Sequence, residues 1–118
     1  MRIIIPFSLP TLNEYSNAER THKHAAARMK KQATTQCAWV FAGHPPIARY
    51  DLIFNFEWYA INKKIDPDNI SFGKKFILDG MVMAGFIQND GWKNVRGFSD
   101  SFYVDKKTPR VEIVIGVN

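Results

Sequence analysis

The segment Ile47–Ala60 alternates apolar and polar residues with almost no exception, and it constrains the fold more than any other part of the chain. Its apolar positions are Tyr50, Leu52, Phe54, Phe56 and Trp58. Its polar positions are Arg49, Asp51, Asn55 and Glu57. A period of two is typical of a β-strand with one buried face. We therefore expect a sheet that other elements cover on one side.

Two helices are predicted on either side of this strand. Residues Glu14–Ala42 repeat apolar or small side chains at a spacing of three and four, with Asn13 as the N-cap and Gly43 as the C-terminal stop. A second helix is predicted from about Ile70 to Ala84, and Gly85 can cap it. These helices are the expected cover of the sheet.

Short apolar runs supply the remaining strands. Ile3–Ile5 comes first, Trp92–Phe98 and Ser101–Val104 follow the second helix, and Arg110–Val117 comes last. The resulting order β-α-β-α-β-β-β predicts an α+β fold, a small mixed sheet packed by two helices. The length of 118 residues fits a single domain over residues 1–118.

Composition narrows the class of protein further. The formal charge of +5 suits a polyanionic partner, although an excess of this size does not require one. The apolar runs are much shorter than the roughly 20 residues of a membrane span, so no membrane partner is expected. The single cysteine, Cys37, cannot form an internal disulfide and is predicted to be buried and inert. We therefore expect a cytoplasmic protein.

Two aspartates flank a proline directly after the alternating strand. Asp66 is expected to be extended because Pro67 disfavours the helical region for the residue before it, and Asp68 falls where the second helix begins. The two carboxylates can converge, which suits Mg²⁺, an ion often held by one or two protein carboxylates. Asp90 offers a third carboxylate on a later turn, but spacing alone does not place it beside the others. Spacing alone favours the purely structural interpretation, a turn with an N-cap.

A stripe of charged residues continues along the second helix. Asp68, Lys75 and Asp79 are separated by seven and four residues, which places them on one side of it. Asp79 lies roughly 16 Å along the axis from Asp68, too far for both to bind one metal ion directly. Lys75 can reach back toward a phosphate, held by an i,i+4 pair with Asp79. Lys74 and Lys75 each also fit an ordinary solvated helix face.

Taken together, these residues resemble the motif of the RusA-type Holliday-junction resolvases. Asp66-Pro67-Asp68-Asn69, then Lys75, Asp79, Gly85-Phe86 and Asn89-Asp90, follow the family's pattern D-x-D-N, K-x-x-x-D, glycine and (D/N)-D in the same order. The order of strands and helices before the motif also agrees, so the resemblance covers nearly the whole chain. Its specific part is residues 66–90.

The resemblance implies a phage or prophage endonuclease that resolves four-way or related branched DNA in recombination and repair. It implies a homodimer and a Mg²⁺ cofactor, with Mn²⁺ as an alternative. The residues it assigns to metal binding and catalysis are Asp66, Asp68 and Asp90. Lys75 matches the family's essential lysine. The supporting residues are Asn69, Lys74 and Asp79.

The basic residues that flank the acidic motif in sequence are the expected DNA contacts. They are Lys63, Lys64, Lys93 and Arg96. Contacts of this kind bind phosphates and give affinity without base specificity. Trp92 and Phe98 offer a surface for stacking on an opened base, but we expect both of them in the buried core.

The motif departs from the family pattern at two points. Lys75 lies about one helical turn further from Asp68, which keeps its face of the helix and moves it outward, so Lys74 is the alternative. Asn89 stands where the family has the first aspartate of a pair.

Three other functions stay open on the sequence alone. The first is a non-catalytic protein that keeps the fold and binds branched DNA. The second is a phage accessory protein that uses the Glu14–Ala42 helix as a contact surface. The third is a nuclease that prefers flaps, forks or plain duplex.

Overall fold

The alternating segment forms the central strand of a four-stranded mixed sheet in the computed structural model, which describes residues 1–117. The elements in chain order are β1 (Arg2–Ile5), α1 (Leu12–Thr21), α2 (Ala25–Ala42), β2 (Leu52–Ala60), α3 (Pro67–Ile70), a 3-10 turn (Ser71–Gly73), α4 (Lys74–Met83), β3 (Val95–Val104) and β4 (Arg110–Val117). The predicted α+β class is confirmed.

The sheet has the strand order β1-β4-β2-β3. β4 pairs antiparallel with both β1 and β2, while β3 pairs parallel with β2. Parallel neighbours need a crossover connection, and the segment from α3 to α4 supplies it. The predicted site residues between 66 and 90 therefore lie on and after this crossover.

One hydrophobic cluster joins the helices to one face of the sheet. Its largest side chains that are fully buried include Phe41 of α2, Phe54 and Phe56 of β2, and Phe76 and Met81 of α4. The alternation along β2 thus identifies the covered face correctly. None of the helices formed by residues 1–117 combines the length and the apolar character needed to cross a membrane.

The predicted long helix is wrong in two respects. Its N-cap is Thr11 rather than Asn13, because Thr11 and Glu14 form a reciprocal capping box. The helix is also broken, since α1 ends at Thr21 and His22 is extended, with φ −158° and ψ 130°. Residues 19–24 contain no apolar side chain that packing could hold in a continuous helix.

The predicted number of strands is wrong as well, because the strands predicted at Trp92–Phe98 and Ser101–Val104 form one strand, β3. β3 continues through Ser99 and Asp100, whose side chains bond to Asn55 and Trp58 of β2. β2 in turn begins at Leu52 rather than Ile47. The residue before it, Asp51, has φ 56°, a left-handed conformation that interrupts the strand.

α2 and α4 approach each other closely at Gly80. A Cβ placed on this residue would lie 2.6 Å from Cys37 Cβ and 3.0 Å from the Ala38 backbone nitrogen. Cys37 is buried as predicted, and burial raises the pKa of its thiol to about 12. A thiol in this state is neutral at physiological pH, so it serves packing.

Candidate functional site

Asp66 and Asp68 lie at the start of the crossover. Asp66 is the N-cap of α3 with φ −68° and ψ 148°, the extended conformation predicted from Pro67. Its side chain makes no capping hydrogen bond. Asp68 follows in the first turn, and both carboxylates are exposed. Among residues 1–117, neither carboxylate accepts a hydrogen bond or forms an ion pair.

Asn69 connects this turn to the start of α1. Its side-chain carbonyl accepts a hydrogen bond from the Asn13 backbone nitrogen at 2.8 Å. Asn69 therefore holds α3 against α1, and its predicted role in supporting a catalytic site stays a prediction.

Asp90 lies on the turn after α4. The preceding residue, Asn89, accepts a hydrogen bond from the Gly91 backbone nitrogen at 2.7 Å, which shapes the turn. Asp90 is exposed, and no residue of the described chain donates to its carboxylate or pairs with it. Asn89 thus has a local structural use at the first position of the family's (D/N)-D pair.

The structure does not bring the three predicted metal ligands together. Asp66 borders a groove that also includes Lys63 and Phe102. Asp90 borders a different groove, between α2 and α4, together with Asp79. Within residues 1–117, no three His, Cys, Asp or Glu side chains lie close enough to share a metal ion. A single chain therefore does not fit the three-carboxylate centre that the resemblance implies.

The two adjacent lysines of α4 have different roles. Lys75 is exposed, and its Nζ lies 3.4 Å from Asp79 Oδ1, the i,i+4 contact that the spacing predicts. Lys74 Nζ instead lies 2.7 Å from Asp100 Oδ2 and within 5.3 Å of the centres of the Phe56 and Phe98 rings. Lys74 is therefore engaged in the fold, which favours Lys75 as the lysine available to a phosphate.

The predicted DNA contacts are exposed and carry uncompensated charge. Lys63 and Lys64 lie in the loop between β2 and α3, and Lys63 borders the same groove as Asp66. Lys93 Nζ lies 4.6 Å from the centre of the Tyr50 ring. Neither these three lysines nor Arg96 forms an ion pair with any residue between 1 and 117. Their side chains remain available to an anionic partner.

Two aromatic residues predicted for the core lie elsewhere. Trp92 is 98% exposed, and Phe98 is 46% exposed. Trp92 lies in the turn before β3, outside the strand, and Phe98 lies on β3 at the edge of the sheet, so the apolar character of the segment did not imply burial. The position of Trp92 two residues after Asp90 makes it a surface feature of the candidate site.

The charged residues of a second cluster, on and beside β4, form ion pairs with one another. Arg110 contacts Glu112 at 2.7 Å and Asp105 at 2.8 Å, and Arg2 contacts Glu112 at 2.8 Å. The pKa of Asp105 falls to about 2, chiefly because the Thr108 backbone N–H donates to it and then because of Arg110. The pKa of Glu112 is lowered mainly by Arg110. Each acid here has its own donors, so the cluster stabilises the fold.

No model of a known protein family matches this sequence, and no curated protein matches it either. The resemblance to the RusA-type resolvases therefore depends on residues 66–90 and on the order of elements around them.

Proposed function

We propose that this chain is a RusA-type, Mg²⁺-dependent endonuclease that cuts four-way or related branched DNA. The observation that supports the proposal is that the aspartates assigned to metal binding have no hydrogen-bond or ion-pair partner among the described residues. Asp66, Asp68 and Asp90, the three that the motif assigns to metal, accept no hydrogen bond within residues 1–117. The other motif aspartate, Asp79, pairs with Lys75. Exposed carboxylates without a structural partner are available as oxygen ligands for a divalent cation.

The remaining aspartates provide a useful comparison. Asp100 accepts from Trp58 and pairs with Lys74, and Asp105 accepts from Thr108. Asp51 alone shares the free state of the motif aspartates within the described chain, and it lies outside the motif. Asp51 is therefore the natural control for any substitution in the motif.

A homodimer is part of the proposal, because one chain leaves Asp90 apart from Asp66 and Asp68. We propose that the second copy of the chain is the source of the missing carboxylate. A junction also has two equivalent strands to cut, which suits a symmetric pair of sites.

The first experiment measures cleavage of a four-way junction in Mg²⁺ by the wild type, Asp68→Asn and Asp51→Asn. We expect loss of cleavage in Asp68→Asn and wild-type cleavage in Asp51→Asn. Asparagine tolerates the left-handed conformation at position 51, so this control keeps the fold. Equal cleavage by all three proteins would contradict the assignment of Asp68.

The second experiment tests the shared site. Asp68→Asn and Asp90→Asn are each expected to be inactive alone. Mixed and allowed to exchange subunits, they form heterodimers in which one site combines the intact Asp66 and Asp68 of one copy with the intact Asp90 of the other. Restored nicking supports a site shared between copies. If the single variants are inactive and their mixture stays inactive, each site belongs to one chain.

A non-catalytic protein that binds branched DNA is the second candidate. The observation that favours it is the separation of Asp90 from Asp66 within one chain. It predicts binding of a four-way junction without cleavage in either Mg²⁺ or Mn²⁺. Flaps, forks and plain duplex assayed beside the junction reveal the substrate preference of an active enzyme.

A further inference from the structure

The groove between α2 and α4 has one basic wall and one acidic end. Its volume is about 610 Å³. Lys30 and Lys31 of α2 border it on one side, Val82 and Met83 of α4 on the other, and Asp90 borders it from the following turn. Val82 and Met83 are 37% and 58% exposed. The groove thus combines cations with an accessible apolar surface.

The lysines of this groove continue a wider basic surface on α1, α2 and the turn between them. Its members are Arg20, Lys23, Arg28, Lys30 and Lys31. The sequence has no acidic residue between Glu19 and Asp51. No member pairs with an acid of residues 1–117, and all five are exposed.

The acids of the groove do not neutralise its lysines. Asp79 already pairs with Lys75 at 3.4 Å, which leaves Asp90 as the acidic group without a partner among the described residues that border the groove. Two lysines therefore face one free carboxylate. The surplus positive charge favours an anionic occupant.

The distribution of the cations indicates a long anion rather than a small one. Lys31 lies about 60° around the helix from Arg28 and about 100° from Lys30, so the three charges span about 160° of the helix circumference. They do not converge on one point, as the donors of a small-anion pocket do. A chain of phosphates matches a spread surface, and sugars can pack on Val82 and Met83.

We propose that the groove between α2 and α4 binds the backbone of DNA, with Lys30 and Lys31 as phosphate contacts that hold the strand beside Asp90. The position of the strand relative to a reacting centre rests on the proposed function. The contact between the lysines and DNA does not require cleavage.

The test compares two variants that each remove two positive charges. Lys30→Gln/Lys31→Gln alters the groove, and Lys106→Gln/Lys107→Gln alters the connection between β3 and β4. All four lysines are exposed and none pairs with a described acid. Glutamine and lysine have similar helix propensities, so the groove variant is expected to fold, which circular dichroism checks.

Dissociation constants for a four-way junction are measured without metal between about 50 and 200 mM salt, the range over which phosphate contacts weaken steeply. The slope of log affinity against log salt is negative, and each lost phosphate contact reduces its magnitude by about 0.9. For the groove variant we expect the salt dependence to become shallower, with a slope less negative than that of the wild type by about two. Its binding should be roughly tenfold weaker at the lowest salt. We expect the control variant to keep the wild-type slope.

Equal slopes for the two variants would overturn the inference while leaving the proposed function intact. If the wild type binds the junction without cutting it, the proposed endonuclease activity is wrong. The salt slopes of the two variants still test whether the groove binds DNA. A wild-type protein that fails to bind the junction at low salt overturns both proposals.

Discussion

The Lys74 ammonium lies 2.7 Å from the Asp100 carboxylate and ties the start of α4 to the edge strand β3. The other oxygen of Asp100 accepts a hydrogen bond from the Trp58 indole at 2.8 Å. Both charged side chains are less than a third exposed. The contact therefore joins a helix and two strands at a partly buried position.

Lys74→Gln is expected to lower the free energy of unfolding by about 1–2 kcal/mol, because Asp100 loses its charged partner. Lys75→Gln removes an exposed pair and is expected to cost at most about 0.5 kcal/mol. Urea denaturation measures both. Junction cleavage should show the reverse order, with the larger loss in Lys75→Gln. A larger loss of cleavage in Lys74→Gln, at matched stability, would reassign the essential lysine.

Thr34 carries a buried hydroxyl that has no hydrogen-bond partner among residues 1–117. Thr34→Val replaces this hydroxyl with a methyl group of similar shape and removes an unsatisfied polar atom from the interior. We expect the variant to be as stable as the wild type or more stable by up to about 1 kcal/mol. Thermal unfolding monitored by circular dichroism measures the change. If Thr34→Val instead lost more than about 1 kcal/mol of stability, the hydroxyl would have a hydrogen-bond partner in solution.

Trp92→Ala is expected to leave stability unchanged, because the side chain is 98% exposed. If Trp92 stacks on an unpaired base, its loss weakens junction binding by about 1–3 kcal/mol, or roughly fivefold to over a hundredfold. Trp39→Ala is the matched control, since Trp39 is 76% exposed and borders neither the groove that contains Asp90 nor the one that contains Asp66. Equal affinities for the two variants would exclude a stacking role.

Asp105 links stability to acidic pH. Its folded-state pKa of about 2 lies below the ordinary value of 3.8, so the unfolded chain holds the proton more tightly. Its contribution to stability is therefore complete above about pH 4 and is lost as the pH falls toward 2. The urea midpoint of Asp105→Asn should be below that of the wild type at pH 7. The two midpoints should approach each other near pH 2, and a constant gap would contradict the shift.

The sequence predicts the features that depend on neighbours along the chain. The alternation in β2 identifies its buried face, Pro67 sets the conformation of Asp66, and the spacing of Lys75 and Asp79 gives their contact. Each of these follows from a local period or from steric restriction of one residue.

Features that depend on distant contacts escaped prediction. In the sequence Asp100 indicates a break between two strands. Its ion pair with Lys74 and its hydrogen bond from Trp58, which hold it within β3, are contacts with residues distant in sequence. The exposure of Trp92 depends on whether any element covers its turn. The separation of Asp90 from Asp66 depends on the path of the chain from α3 through α4 to the following turn, which no spacing between motif residues encodes.

The close approach of α2 and α4 at Gly80 requires that residue 80 have no side chain. A methyl group at this position meets Cys37 and the backbone of Ala38, so one of the helices must move to admit it. Residue 80 therefore acts as the spacer that sets the distance between the basic wall on α2 and the carboxylate on the turn after α4. The width of the opening that faces a ligand is fixed from inside the core, by a residue that no ligand touches.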